Sequence, residues 1–216
     1  MTMANRMPRT EPPERPRFSA GHDTHVLGFI GAGHFMSHSY GIALPPLFPL
    51  LMADFEVSFT AMGLIMTLIA MATGIAQIPV GFLVDRLGAR FVLVGGLALE
   101  AWAIGLMAVA PSIEWVFALA VVAGIGNSVF HPANYAIMSV SISSQRMGRA
   151  FGLHTFAGHI GTAVTPMAIT FLAVLWDWRM ALVAVGVAGF LVSLAMITQT
   201  ATLGAGTPVL KKKKKK

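Results

Sequence analysis

The sequence predicts an all-α membrane protein with six transmembrane helices. Of its 216 residues, 56% are hydrophobic and only 11% are charged, which is far more apolar than an ordinary soluble domain. The charged residues are also widely spaced, and a spanning helix needs about 20 mostly apolar residues to cross the hydrocarbon core of a bilayer. Five stretches without Asp, Glu, Lys or Arg are long enough, and they cover 24–53, 57–84, 115–145, 150–176 and 180–210.

A sixth apolar stretch is interrupted by a single acidic residue, Glu100. All six stretches are continuous apolar runs, whereas the strands of a membrane barrel alternate over segments of about ten residues. The pattern therefore predicts one six-helix bundle over 24–200. Its predicted spans are 25–51, 58–83, 91–110, 115–140, 150–175 and 180–200.

Both ends of the chain are polar. Residues 1–23 contain Pro among Arg and Glu and lack the apolar region of a cleavable signal peptide, which predicts a disordered leader. Residues 201–216 are predicted to form a tail that ends in a run of Lys. Such a run attracts anionic lipid or has the character of an appended end, and we expect no specific role for it.

The distribution of positive charge predicts the orientation. Every Lys and Arg except Arg179 lies in the leader, the turns at 85–90 and 146–149, or the tail. Because cytoplasmic segments of membrane proteins carry the excess of Lys and Arg, we expect both termini to be cytoplasmic. Basic residues placed between spans indicate topology and contact with membrane lipid, and they argue against nucleic acid as a partner.

The turn between predicted spans 2 and 3 reads GFLVDRLGAR over 81–90. Gly81 permits close helix contact, and Gly88 allows a turn at positive φ. Asp85 and Arg86 can pair or cap helix ends, and Arg90 anchors the start of the next span. This motif resembles the signature loop of the major facilitator superfamily.

Three further features bear on this resemblance. Ala89 stands where the family usually has a second basic residue. The segment RMGRAFG at 146–152 is similar to the basic loop at the corresponding place, and GNSVFHPA at 126–133 is similar to the fosmidomycin-resistance branch, exporters of bacterial inner membranes. The resemblance covers about residues 25–200 and implies two six-helix bundles around a central cavity, of which this chain holds the first.

Polar side chains within spans 1 and 4 are the first candidates for a solute site. His34 and His38 lie one turn apart on span 1, so their imidazoles can line a shared surface. Asn127, His131 and Asn134 follow an i, i+4, i+7 spacing on span 4. We expect this polar stripe to face the bundle interior, because lipid would not solvate it.

Spans 5 and 3 add further candidates. On span 5, we expect a face with Thr155, His159 and Thr162 to make polar contacts. The other face is rich in glycine and suits close helix packing; its members are His154, Gly158, Gly161 and Thr165. On span 3, the Glu100 carboxyl could carry protons, although span 3 is usually peripheral in the superfamily.

The expected chemistry is the binding of protons or solute. Imidazole titrates near neutral pH, so His34, His38, His131 and His159 are candidates for either role, with Glu100 as a second proton carrier. The alternative is that the histidines are neutral packing residues. The chain has no Cys, and no carboxylate lies at ligand spacing beside the histidine pair, so we expect neither a metal nor a cofactor.

These observations predict a secondary active transporter, or half of one, that moves a small organic solute across the inner membrane with proton-coupled export. The alternative is a non-transporting scaffold or assembly subunit that uses the half-bundle as a protein interface. A lone bundle leaves a polar face uncovered, so we expect a second six-helix half, a self-dimer or a larger complex. We expect no enzyme, since no nucleophile–base pair or phosphate loop is evident.

Overall fold

The computed structural model describes residues 20–199, and within this range it contains helices and turns without any strand. The prediction of an all-α fold is confirmed. Residues 1–19 of the predicted leader, residue 200 of the predicted bundle and the predicted tail, 201–216, lie outside the described residues. The helices are α1 (Ala20–Ala43), α2 (Phe48–Phe55), α3 (Phe59–Leu87), α4 (Ala89–Leu106), α5 (Ile113–Asn127), α6 (Phe130–Ser141), α7 (Met147–Leu175) and α8 (Trp178–Thr198).

Five helical segments are long and apolar enough to cross a membrane. They are α3, α4 with its 3-10 extension, α5 together with α6, α7, and α8. Helix α1 is not among them, because its sequence AGHDTHVLGFIGAGHFMSHSYGIA is rich in His, Ser and Gly. Instead, α1 packs mainly along α7 and also contacts α4, α6 and α8. Protein rather than lipid therefore surrounds most of this polar helix.

Helix α1 begins at Ala20, so the last part of the predicted leader, 20–23, is helical. Asp23 is buried, and its Oδ2 lies 2.5 Å from Nε of Arg146 in the turn before α7. An ion pair to a neighbouring turn stabilises this first turn of α1, and the interaction depends on tertiary contact.

Proline residues lie at or near two of the boundaries between helices. Pro45 and Pro46 follow α1 in a short 3-10 turn, Pro45–Leu47, because proline cannot donate the hydrogen bond that would continue an α-helix. Pro132 lies in the first turn of α6, where the backbone N–H has no intrahelical partner to lose. The predicted fourth span is thus built from two helices, α5 and α6.

Glycines set the close approach of the helices. A Cβ on Gly161 of α7 would lie 2.4 Å from the Phe35 carbonyl oxygen of α1. A Cβ on Gly186 of α8 would lie 2.8 Å from Cα of Gly105 on α4. Small residues at such crossings let helix backbones pack closely in a membrane, where the hydrophobic effect does not drive association.

One end of the bundle is held together by Arg179. Its guanidinium donates to Asp54 Oδ2 at 2.7 Å and to the carbonyl oxygens of Ala108 and Ala110 at 2.8 and 3.2 Å. It also lies 4.4 Å from the ring centroid of Trp178. Arg179 therefore joins the start of α8 to the last turn of α2 and to the segment that follows α4.

A histidine-lined face of the bundle

Five imidazoles from three helices converge on one face, and we call them the histidine cluster. His34 of α1 stacks on His154 of α7, with ring centroids 3.9 Å apart and an interplanar angle of 21°. The His34 ring lies 4.5 Å from that of His38 and 6.0 Å from that of His131 on α6. His159 of α7 lies 6.1 Å from His38, between ring centroids.

The cluster exists because α1 and α7 approach each other at Gly158. A Cβ at this position would lie 2.7 Å from Cδ2 of His34 and 2.9 Å from Cδ2 of His38. The absent side chain therefore makes room for both rings. His38 Nδ1 lies 3.1 Å from the Thr162 hydroxyl, a hydrogen bond that links residues 124 positions apart.

His154 is a member of the cluster that sequence reasoning did not select. Its position on the glycine-rich face of α7 indicated packing, and that face is indeed the buried one. The side chain is only 3% exposed and stacks on His34. The spacing could have identified His154. A histidine one turn before Gly158 lies on the same face of α7 as this glycine and therefore faces the helix that the glycine contacts.

The cluster has a buried base and an exposed rim. His34 and His154 form the base, with exposures of 4% and 3%, whereas His131 and His159 are exposed. Tyr135 is 46% exposed, and its ring centroid lies 5.8 Å from that of His131. The rim therefore offers aromatic rings for stacking together with imidazole and phenol groups for hydrogen bonding.

The base contains nitrogen atoms without a hydrogen-bond partner among the described residues. These atoms are Nδ1 of His34 and both ring nitrogens of His154. Burying a polar atom without a partner costs free energy, so a ligand that supplies the missing hydrogen bonds would stabilise this arrangement. Over residues 20–199, no group of three or more His, Asp or Glu side chains is arranged to hold a metal ion.

Glu100 lies behind this face, in the interior of the bundle. Its side chain is 2% exposed, and Asn127 Nδ2 donates to Oε1 at 2.9 Å. The same Nδ2 lies 3.1 Å from the hydroxyl of Ser37, which stands between His34 and His38 on α1. The Glu100 carboxyl therefore lies in the interior of the bundle. The approach is possible because a Cβ on Gly126 would lie 2.7 Å from the Glu100 backbone nitrogen.

The three polar residues of span 4 differ in burial and in their contacts. Asn127 ends α5 and contacts Glu100, whereas His131 belongs to α6 and is exposed beside His34. Asn134 is fully buried, and its side-chain polar atoms have no hydrogen-bond partner within the described range. Asn127, through Ser37, and His131, through His34, both lie beside α1, and the role of this polar stripe stays a prediction.

The predicted signature loop lies apart from the histidine cluster, where α3 meets α4. Gly88 has φ +90° and joins the two helices, a conformation that glycine adopts without strain. Asp85 and Arg86 are exposed in the last turn of α3, and Gly81 lies within that helix. The Arg90 guanidinium lies 4.6 Å from the ring centroid of Phe91.

The fold and the placement of its polar groups define a multi-pass helical membrane protein. The sequence model of the Major Facilitator Superfamily matches residues 28–215, so the chain belongs to this family. The resemblance to this family that the sequence motifs indicated is confirmed.

Curated relatives and solved structures agree with this membership. The chain is 26% identical over 149 residues to the uncharacterized MFS-type transporter YfnC of Bacillus subtilis, covering 69% of this chain and 36% of the relative. It is 27% identical over 142 residues to the fosmidomycin resistance protein of Escherichia coli, covering 66% and 35%. The chain thus spans about a third of the length of these relatives, which are transporters rather than enzymes.

The fold is shared with a solved bacterial homolog of the human lysosomal transporter Spinster, in an inward-facing and occupied conformation. The TM-score is 0.77 at 17% sequence identity, and the match covers 85% of this chain and 45% of that chain. The likeness extends to the fold of one half of that structure.

Proposed function

We propose that this chain forms a six-helix half of a secondary active transporter that exports a small organic solute across the bacterial inner membrane, coupled to protons. The observation that carries this proposal is the convergence of five imidazoles on one open face, with a buried carboxylate behind them. Membership of the Major Facilitator Superfamily supports it.

The solute binds at the exposed rim of the histidine cluster, and the imidazoles exchange protons with it or with water. His34, His38, His131 and His159 supply donors and acceptors from three helices, and His154 completes the base. Imidazole changes its charge near neutral pH, which suits a site that must load and release protons. Asn134 is buried beneath this region and supports α6 rather than touching the solute.

Glu100 is the second proton carrier. Asn127 donates to Oε1, while Oε2 has no hydrogen-bond partner in the part of the chain that the structure describes. Gain or loss of a proton at the carboxyl would alter its hydrogen bond to Asn127, the last residue of α5. Because α6 begins three residues later, the proton on Glu100 biases the break between the two helices.

The end of the bundle where α1 begins and α8 ends faces the cytoplasm. The excess of Lys and Arg in the segments at that end supports this orientation. At the same end, the signature loop with Gly81, Asp85, Arg86, Gly88 and Arg90 acts as a conformational hinge between α3 and α4. Its positive-φ glycine supports this role.

A second six-helix unit covers the open face, and membrane lipid covers the rest. Helices α3 and α7 expose long rows of large apolar side chains, among them Ile75, Ile78, Phe82, Met167 and Val174. A transporter of this kind alternates access by rocking one unit against the other around a fixed site.

Proton-dependent flux in proteoliposomes tests the proposal. The protein, with any further part it has in the cell, is reconstituted, and solute flux is measured with and without a pH gradient. Combined replacement of His34, His38 and His131 by Gln, together with Glu100→Gln, is expected to abolish the dependence on the gradient. His25→Gln is the matched control, because His25 lies on α1 but outside the histidine cluster.

Flux that ignores the four combined replacements would overturn the coupling assignment. A protein that transports nothing and is recovered in fixed ratio within a larger complex would instead establish the scaffold function.

A further inference from the structure

We propose that the transported solute carries an acidic group, and that the histidine cluster binds this anion together with a proton on a ring nitrogen of His34 or His154. The inference rests on the proposed function and adds the charge class of the solute. It is carried by the stacking geometry, by the unpartnered ring nitrogens, and by the kind of groups that surround them.

The stacking geometry limits the charge of the empty site. The His34 and His154 rings are 3.9 Å apart, and two positive imidazoliums at this distance repel each other strongly in a poorly solvated interior. His38 and His131, also within about 6 Å of His34, are imidazoles as well. The empty cluster therefore favours the neutral state, and an added proton needs a counter-ion.

Within residues 20–199, the helices around the base provide no such counter-ion. The neighbours from α1, α6 and α7 are imidazoles and the phenol of Tyr135. From α4 the acidic group is Glu100, which is bonded to Asn127 of α5. Helix α8 places Met196 near Gly33. A negative charge beside the stacked pair therefore has to come from the ligand.

The hydrogen-bonding capacity of the base matches an oxyanion. Both ring nitrogens of His154 and Nδ1 of His34 are buried without a partner among residues 20–199. A carboxylate or phosphonate accepts several hydrogen bonds, and bonds to a charged donor are about twice as strong as neutral ones. A neutral polyol could also bond these nitrogens, but it would not balance an added proton.

A coupling of anion and proton follows from these two features. Among residues 20–199, the ring contacts of the histidine cluster include no Arg or Lys, so the positive charge that they supply comes from protonated imidazole. Anion binding therefore brings a proton into the site, and by reciprocity a lower pH strengthens anion binding. The affinity is highest in acid, where imidazolium is populated, and it falls as the pH rises and the imidazoles lose their protons.

Calorimetry on the purified chain in phosphatidylcholine nanodiscs tests this inference. The probes are acids and their neutral counterparts, gluconate with glucitol and benzoate with benzamide, and inorganic phosphate is added as a further anion. Each is titrated near pH 6.5 in two buffers of different ionisation enthalpy, which counts the protons taken up. At least one acid is expected to bind with uptake of about one proton, and its neutral counterpart to bind at least about tenfold more weakly.

His154→Gln is expected to remove most of the proton uptake and to weaken the anion about tenfold, because the stacked partner is lost. His25→Gln should change neither quantity. If His154→Gln fails to give a monodisperse protein, the proton count of the unmodified chain decides the matter alone.

Three results would overturn the inference: a neutral probe that binds as well as its acid, an acid that binds without taking up a proton, or no binding of any acid at millimolar concentration. Proton-coupled flux of a neutral solute would refute the anionic class and leave the proposed transport function intact. Absence of any flux would refute the transport function itself.

Discussion

In both the α1–α7 and the α4–α8 interface, a glycine packs against the backbone of the neighbouring helix. The two interfaces differ in the side chains around this contact. In the first, Gly161 faces the Phe35 carbonyl, and a Cβ there would lie at 2.4 Å. In the second, Gly186 faces Gly105, and a Cβ there would lie 2.8 Å from its Cα. Histidine and threonine flank the first contact, whereas Trp, Leu, Val and Phe flank the second.

The difference shows that close packing and polarity are separate properties of a helix pair. Between α4 and α8, an open groove of about 360 Å³ is lined by Trp102, Leu106 and Phe190 among other apolar residues, a surface suited to lipid. Between α1 and α7, the close approach of the helices brings the imidazoles of His34 and His154 into contact. Glycine determines how near two helices come, and the neighbouring side chains determine what the contact can bind.

The largest expected effect comes from filling the glycine contacts. Gly186→Val and Gly161→Val should each lower the free energy of unfolding by about 3 kcal/mol, because a new side chain would meet backbone atoms that cannot turn away. Gly95→Val, on an open face of α4, is the matched control. Thermal denaturation in detergent measures the differences. Equal stability of Gly186→Val and Gly95→Val would contradict the proposed close contact.

A smaller effect is expected at the carboxylate behind the histidine cluster. Glu100→Leu removes one of the two acceptors of Asn127 Nδ2, leaving the Ser37 hydroxyl, and should cost about 2 kcal/mol, because a partly buried amide loses its hydrogen bond to the carboxylate. Glu100→Gln keeps an acceptor and should cost less, while the pH dependence of transport decreases. Denaturation and flux on the two variants separate packing from proton binding. The same pH dependence in Glu100→Gln and the unmodified protein would exclude a proton role.

The end of the α4–α8 interface offers a milder test. Arg179→Ala removes bonds to Asp54 and to two carbonyl oxygens, and we expect a loss of about 1 kcal/mol since the guanidinium is partly exposed. Asp54→Asn should cost less, because the carbonyl bonds remain. Denaturation at low and high salt checks both variants. If Asp54→Asn lowered the free energy of unfolding as much as Arg179→Ala, the ion pair alone would account for the stabilisation by Arg179.

The smallest effect is expected on the outward side of α7. Val174 is 82% exposed, so Val174→Ala should change the free energy of unfolding of the chain by no more than about 0.5 kcal/mol. Denaturation of the chain gives this value. A larger loss would show that a further helix already covers α7 in the purified protein, and it would thereby sharpen the contrast with the buried face toward α1.

Sequence reasoning found most of the residues at the candidate site but not their arrangement. His34 and His38 follow from helical spacing alone, and the structure places their rings side by side. His154 lies on the glycine-rich face of α7, and such a face predicts close helix packing. The same face also carries an imidazole of the histidine cluster, so the pattern alone does not separate the two roles. The spacing of Asn127, His131 and Asn134 could not reveal their different partners and burial, because these depend on the helices packed against span 4.

The sequence by itself determined the all-helical membrane fold and the family. Hydrophobicity acts over contiguous stretches, and the loop at 81–90 keeps its motif within ten residues, so both can be read locally. Only the tertiary structure decided which polar groups meet. The stacking of His34 on His154 and the bond from Asn127 to Glu100 join residues distant in the chain, because glycine contacts bring their helices together.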